Sequence, residues 1–149
     1  MNNFVTDAIN LKSYNLSESD KIIVMYSKDK GLIKGVAKGV KKPKSKLGGR
    51  MDALVVNRLM LAKGKNLDII TQAESLNTFY KSRVDMDKLF YSMYCAEVVM
   101  NFGAENDTSS EEIFNILYGA LKQISESNTK EQVLLFLIEI LLHIIKLVL

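Results

Sequence analysis

Apolar and polar positions change rhythm about halfway along the chain. Through residue 80, β-branched and aromatic residues come in short runs split by turn residues, the pattern of strands. From Val84 onward apolar positions recur every three or four residues, the period of helices. Strands are predicted over 4–14, 21–27, 32–40, 54–62 and 67–76. The second is apolar on both faces, with Ile22, Val24 and Tyr26 against Ile23 and Met25, as expected for a central strand or one curved into a barrel. Lys28-Asp29-Lys30-Gly31 reads as a tight hairpin turn with Gly31 available for positive φ, and Lys63-Gly64-Lys65-Asn66 joins the last two strands. In the second half, Asp87 is the predicted cap of a helix through Leu89, Met93, Ala96 and Met100 that ends near Gly103. Asp107 to Ser110, with Glu111 and Glu112 behind, starts another that runs to Ser125. Thr129 with Gln132 three residues on reads as a capping box for the last helix.

Five short strands, mostly joined by hairpins, are too few for a sandwich and suit a small closed barrel of the OB type. In the third strand Gly35 and Gly39 fall on the face of Ile33 and Ala37, where missing side chains permit the coiling that closure requires. Lys34, Val36 and Lys38 take the other face, placing the two lysines about 13 Å apart along the strand, roughly two phosphates of a single strand. The expected fold is therefore segregated β + α: a five-stranded OB-fold barrel over 1–80, then an all-helical domain over 84–149. The end of the chain, VLLFLIEILLHIIKLVL over 133–149, has three polar side chains, Glu139, His143 and Lys146. Their i, i+4, i+7 spacing puts them on one helical stripe, and 17 residues is short for a span, so a buried or interface helix is expected and membrane insertion is not.

Charge divides the two halves. Residues 28–50 hold nine Lys or Arg against the single acid Asp29, while the whole chain is only +3. A net +8 beside an acidic remainder is the footprint of a nucleic-acid-binding face. The candidate DNA contacts are Lys34, Lys38, Lys41, Lys42, Lys44, Lys46 and Arg50, those from Lys41 onward on an expected mobile loop. Tyr14, at a strand end beside a polar connection, is the candidate platform for base stacking, whereas Tyr26 follows the alternation of the core. Few aromatics among many lysines imply backbone binding with little reading of sequence.

Catalytic signatures are missing. Gly64-Lys65 is followed by Asn66 and lacks the upstream glycine of a phosphate-binding loop. His143 is the only histidine and sits in an apolar helix; Cys95 is the only cysteine and sits among Tyr94, Ala96 and Val98. His143 is expected as a satisfied core or interface residue rather than a base or ligand, and Cys95 as a small buried hydrophobe rather than a thiolate. Asp85 and Asp87 are paired acids, one of them accounted for by capping. With no Cys/His cluster and one cysteine, no metal, cofactor or internal disulfide is expected, and a reducing cytoplasmic compartment fits. The N-terminus lacks the basic and long apolar regions of a signal peptide. A DNA-binding mediator, a general RNA-binding OB module and an adaptor for acidic proteins all satisfy these features, and charge alone does not separate them.

The order of local motifs adds a resemblance. Leu16-Ser17-Glu18-Ser19-Asp20-Lys21-Ile22-Ile23, the turn Lys30-Gly31, Lys34-Gly35-Val36-Ala37-Lys38-Gly39-Val40-Lys41-Lys42, Ser45-Lys46-Leu47-Gly48-Gly49 and Ile70-Thr71-Gln72-Ala73-Glu74 together resemble the RecO family of bacterial DNA repair proteins. The resemblance implies a non-enzymatic recombination mediator, with an N-terminal OB-fold followed by a helical domain. It implies binding to single- and double-stranded DNA, strand annealing, association with RecR and contact with single-stranded DNA-binding protein, so that RecA can load. It places the protein in the bacterial cytoplasm at the nucleoid. Many members continue with further helices and often a four-cysteine zinc site. The expectation here is a short or truncated version whose last helix packs in a homo-oligomer or on residues beyond Leu149.

Overall fold

The computed structural model describes residues 2–127 and 129–148. Five strands, β1 (Asn3–Asn15), β2 (Lys21–Ser27), β3 (Gly31–Ala37), β4 (Val56–Ala62) and β5 (Asp68–Asn77), precede four helices, α1 (Tyr80–Arg83), α2 (Met86–Phe102), α3 (Ser110–Glu126) and α4 (Lys130–Val148). The strands close into a barrel in the order β1-β2-β3-β5-β4, as the expected OB fold requires. The long β1 serves two neighbours: its first half pairs antiparallel with β4 and its second half with β2. A register shift between Asn10 and Lys12 inserts one extra residue and bends the strand from one partner toward the other. A short parallel pairing of β3 with β5, Gly35 opposite Asp68 and Val36 opposite Ile69, completes the ring. Gly35 faces inward there, and a Cβ on it would lie 2.8 Å from Ile70 Cγ1, so the glycine admits the neighbouring strand.

One apolar face of β2 lines the barrel, and the other is covered at its Tyr26 end by the helices. Ile23 and Met25 enter the barrel interior with Ala8, Leu59, Leu61 and Ile70. Tyr26 points the other way, into a second core that Ile9, Leu11 and Val56 share with Cys95, Val99, Phe114, Leu117 and Ile124 of the helices. The helical half thus packs on the outside of the barrel. Cys95 is a buried hydrophobe as expected, and burial pushes its thiol up to about 12, far from reactive.

The turn between β2 and β3 is stitched into the α2–α3 connection. Leu32 N donates to Ala104 O at 3.0 Å, Asn106 N to Lys30 O at 2.8 Å, Ser110 Oγ to Lys28 O at 2.8 Å and the Tyr26 hydroxyl to Asp107 Oδ2 at 3.1 Å. Burial, reinforced by the Asp107 carboxylate, raises the Tyr26 pKa, so the phenol stays a donor.

Several boundaries differ from the sequence expectation. Asp85, not Asp87, caps α2, accepting from Lys88 N at 3.2 Å; Asp87 lies in the first turn and pairs with Lys130 Nζ at 3.4 Å. The third strand stops at Ala37, because Gly39 takes a φ of +69° and turns the chain. The short α1 has no counterpart in the sequence pattern. His143 is exposed, not in the core, its Nδ1 lying 3.0 Å from Glu139 O. The last helix is buried on one stripe only, Val133, Leu137, Ile140 and Ile144, and leaves Leu134, Leu135, Ile138, Leu142 and Ile145 exposed. Among the described residues no helix is long and apolar enough to cross a membrane.

Candidate nucleic-acid interface

The segment between β3 and β4 carries most of the basic candidates, and it is an anchored strap rather than a mobile loop. Its entry is fixed by Asp20, whose Oδ1 accepts from Gly39 N at 2.7 Å, and by Lys41 N donating to Ser19 O at 3.0 Å. In its middle, Ser45 Oγ accepts from the amides of Leu47 and Gly48. Its exit is a 3-10 turn, Gly48–Met51, where Leu47 and Met51 insert into the barrel core and stopper one end. Two buried amides grip that turn: Asn10 Nδ2 donates to Arg50 O and Asp52 O, both at 2.9 Å, and Asn57 Nδ2 donates to Arg50 O at 2.7 Å. Nothing in their local sequence reveals this work, since each partner is supplied by a different stretch of the chain. Apolar anchors and buried hydrogen bonds pin the backbone and leave the charged side chains outside.

The charges are then spread over two neighbouring areas. Lys38, Lys42, Lys44 and Lys46 surround a groove of about 360 Å³ floored by Leu47 and Ile70. Lys38 and Lys42 border it where the chain turns out of β3, and Lys44 and Lys46 where it approaches the 3-10 turn. Lys41 is partly committed, its Nζ donating to Ser17 O at 2.9 Å. Arg50 turns its guanidinium back onto Lys46 O, which makes it a brace of the strap as much as an outward charge. The ion pairs seen among the described residues are Arg58–Asp7 and Lys130–Asp87, so no strap lysine is held in contact by a carboxylate there.

Lys34 stands apart, on the outer face of β3. It does not share a strand with Lys38, which lies in the turn beyond β3. The strand register places Lys34 opposite Val24 and Val24 opposite Lys12, a row across three strands that puts the two lysines on one face about 10 Å apart. In the next row Tyr14 lies opposite Ile22 and Ile22 opposite Val36. Tyr14 is half exposed and Lys12 Nζ lies 5.1 Å from its ring centroid, so the predicted platform has a cation beside it. Lys34 also borders a pocket of about 250 Å³ with Lys30 and Lys63, although Asp68 and Glu105 line it too. Lys12, Lys30 and Lys63 are additions to the sequence-based set. In sequence Lys30 and Lys63 read only as turn residues, and the alignment of Lys12 with Lys34 emerges only from the register.

One prediction concerns the strap's entry. The Asp20 carboxyl is held below its ordinary 3.8 chiefly by the Gly39 amide, aided by the Ser19 and Ser17 hydroxyls and by Lys38, against the cost of burial. A depressed carboxylate contributes stability that is complete above its unfolded pKa and is lost as pH falls through the folded one. Asp20→Asn is therefore expected to melt at a lower temperature than the wild type at neutral pH, the gap narrowing below about pH 4. Hydrogen exchange at the Gly39 amide should quicken in the variant.

A small basic OB barrel with a helical extension is the class of protein that this geometry defines. Residues 1–79 match the family model described as "Recombination protein O N terminal". The chain is also similar to proteins named DNA repair protein RecO: 41% identical to that of Nostoc punctiforme over 127 residues, 84% of this chain and 42% of the relative. It is 38% identical to that of Trichodesmium erythraeum, over 82% of this chain and 42% of the relative, and 36% identical to that of Gloeobacter violaceus, over 78% and 44%. The chain belongs to the RecO family, and it spans about half the length of the curated relatives it matches.

Proposed function

We propose that this chain is the DNA-contacting part of a non-enzymatic recombination mediator in DNA repair. The observation that carries the reading is the strap: four lysines around one groove, none in ion-pair contact among the described residues, on a backbone pinned to an OB barrel. A pinned backbone keeps the four lysines together at no further cost in backbone freedom, and release of counterions drives their association with a phosphate backbone. Lys34, Lys38, Lys41, Lys42, Lys44, Lys46 and Arg50 would serve phosphates and Tyr14 a base, with the barrel (1–80) as the binding unit and the helical part (84–149) as its support. Backbone contacts of this type serve single and double strands alike and favour annealing, because they neutralise both strands without reading either. Association with RecR, contact with single-stranded DNA-binding protein and assistance to RecA loading belong to the same reading, supported by family membership.

The decisive measurement is fluorescence anisotropy with single-stranded DNA, duplex DNA and single-stranded RNA across a salt series, paired with an annealing assay on complementary oligonucleotides. Binding with a steep negative slope of log affinity against log salt, DNA preferred over RNA, and accelerated annealing are expected. No binding to any oligonucleotide at low salt would sink the reading in favour of an adaptor for acidic proteins.

The exposed stripe of α4 is part of the proposal. Five large apolar side chains on one helix face fit an association surface, and we expect the chain to form a homo-oligomer through it. Sedimentation should report an oligomer that Ile138→Glu with Leu142→Glu returns to monomer. A wild type that is monomeric at all concentrations contradicts this.

A further inference from the structure

We propose that the groove between β1 and α2 takes unstacked bases of a single strand whose phosphates lie along Lys12 and Lys34. The inference rests on the nucleic-acid reading above and adds a second, aromatic subsite to the basic strap. The helix α2 packs Cys95, Ala96, Val98 and Val99 inward, yet its opposite stripe is also apolar: Met86, Phe90, Met93 and Tyr94. Phe90 is 69% exposed and Tyr94 46%. Beside them, Phe90, Met93, Tyr94, Lys12 and Glu97 line a cleft of about 360 Å³. That size is at the low end of ligand-sized clefts, roughly 300 to 1,000 Å³.

Three observations favour a nucleic acid over a protein segment as occupant. First, the cleft shares Lys12 with the Lys12–Val24–Lys34 row, so a cation borders the aromatics on the barrel side and a second follows along the row. Second, three exposed rings, Tyr14, Phe90 and Tyr94, lie around one lysine, the combination of stacking faces and backbone charge that single strands need. Third, Glu97 is on the helix side of the cleft and repels phosphate from it, which orients a strand with its backbone toward Lys12 and its bases toward α2. Such a cleft accepts single strands only, since paired bases do not expose their faces. Strap and cleft together give the two strands of an annealing pair different footholds.

The chain contains no tryptophan, so Phe90→Trp creates a fluorescent reporter inside the cleft while retaining a ring. Its emission is expected to fall on titration with a single-stranded oligonucleotide and to hold steady with duplex. In parallel, Phe90→Ala with Tyr94→Ala should weaken single-strand binding about tenfold or more, stacking being worth about 1 to 3 kcal/mol per base. The salt slope should not change, because no charge is removed. Both substituted positions are exposed, and circular dichroism checks the fold. An oligonucleotide that binds with the expected salt dependence but leaves the reporter and the double variant unaffected overturns this proposal and leaves the strap reading intact. Absence of binding overturns both. A reporter that responds to an apolar peptide or to a second copy of the chain, and not to oligonucleotide, overturns it by assigning the cleft to protein docking.

Discussion

Replacing Lys38, Lys42, Lys44 and Lys46 together with alanine is expected to cost at least a hundredfold in affinity for single-stranded DNA at about 0.1 M salt. Each phosphate neutralised on a single strand contributes roughly 0.7 to the slope of log affinity against log salt, so removing four such charges flattens it by about 3. The choice of four comes from the geometry. These lysines surround one groove and no ion pair among the described residues holds them, so their loss removes charge, with Lys38 alone also withdrawing some support from the Asp20 carboxylate at the strap's entry. Lys41 and Arg50 are left in place because each donates to a backbone carbonyl, Ser17 O and Lys46 O, and removing them would loosen the strap as well as discharge it. Anisotropy at four or more salt concentrations measures both quantities. A variant with unchanged slope would move the phosphate contacts away from the strap, and unchanged melting temperature would confirm that the barrel is intact.

The barrel is legible in the sequence because its information is local: alternation, turn residues and the two-faced apolar run of Ile22 to Tyr26. That run already holds the answer to how the halves join, since one face lines the barrel and Tyr26 on the other meets the helices. Charge segregation is legible for the same reason. What stays hidden depends on contacts far apart in the chain. A lysine-rich stretch with the chain's only proline reads as a flexible loop, yet Leu47 and Met51 are apolar plugs, and Asn10 and Asn57 hold their turn from two strands of the barrel. Likewise Lys12 joins Lys34 only through β2. In the last helix the sequence shows the periodic polar stripe, but the apolar remainder is covered on one side only. Periodicity reports which residues prefer burial, and neighbours decide which of them obtain it.

Gly31→Ala is expected to destabilise the fold by about 2 to 4 kcal/mol, more than most exposed turn substitutions. Two costs combine. The residue has φ of +74°, which costs an L side chain roughly 1 to 2 kcal/mol. Beyond that, a Cβ would lie 2.4 Å from Ala104 O and 2.9 Å from Asp107 Cβ, and the first of these is backbone that has no rotamer to yield. The hairpin must lift from the α2–α3 connection, stretching the bonds from Leu32 N to Ala104 O and from Asn106 N to Lys30 O. Gly39→Ala supplies the control. Its φ, +69°, is nearly the same, but its Cβ would meet only Lys42 Cδ, at 3.9 Å. Strain without collision should cost only the conformational part, about 1 to 2 kcal/mol. Urea denaturation of the two variants, with m-values compared to confirm a common unfolding reaction, separates the terms. Equal losses would mean that the hairpin is not clamped to the helices. A larger loss at Gly31 would establish the seam through which the helical half braces the strand that carries Lys34.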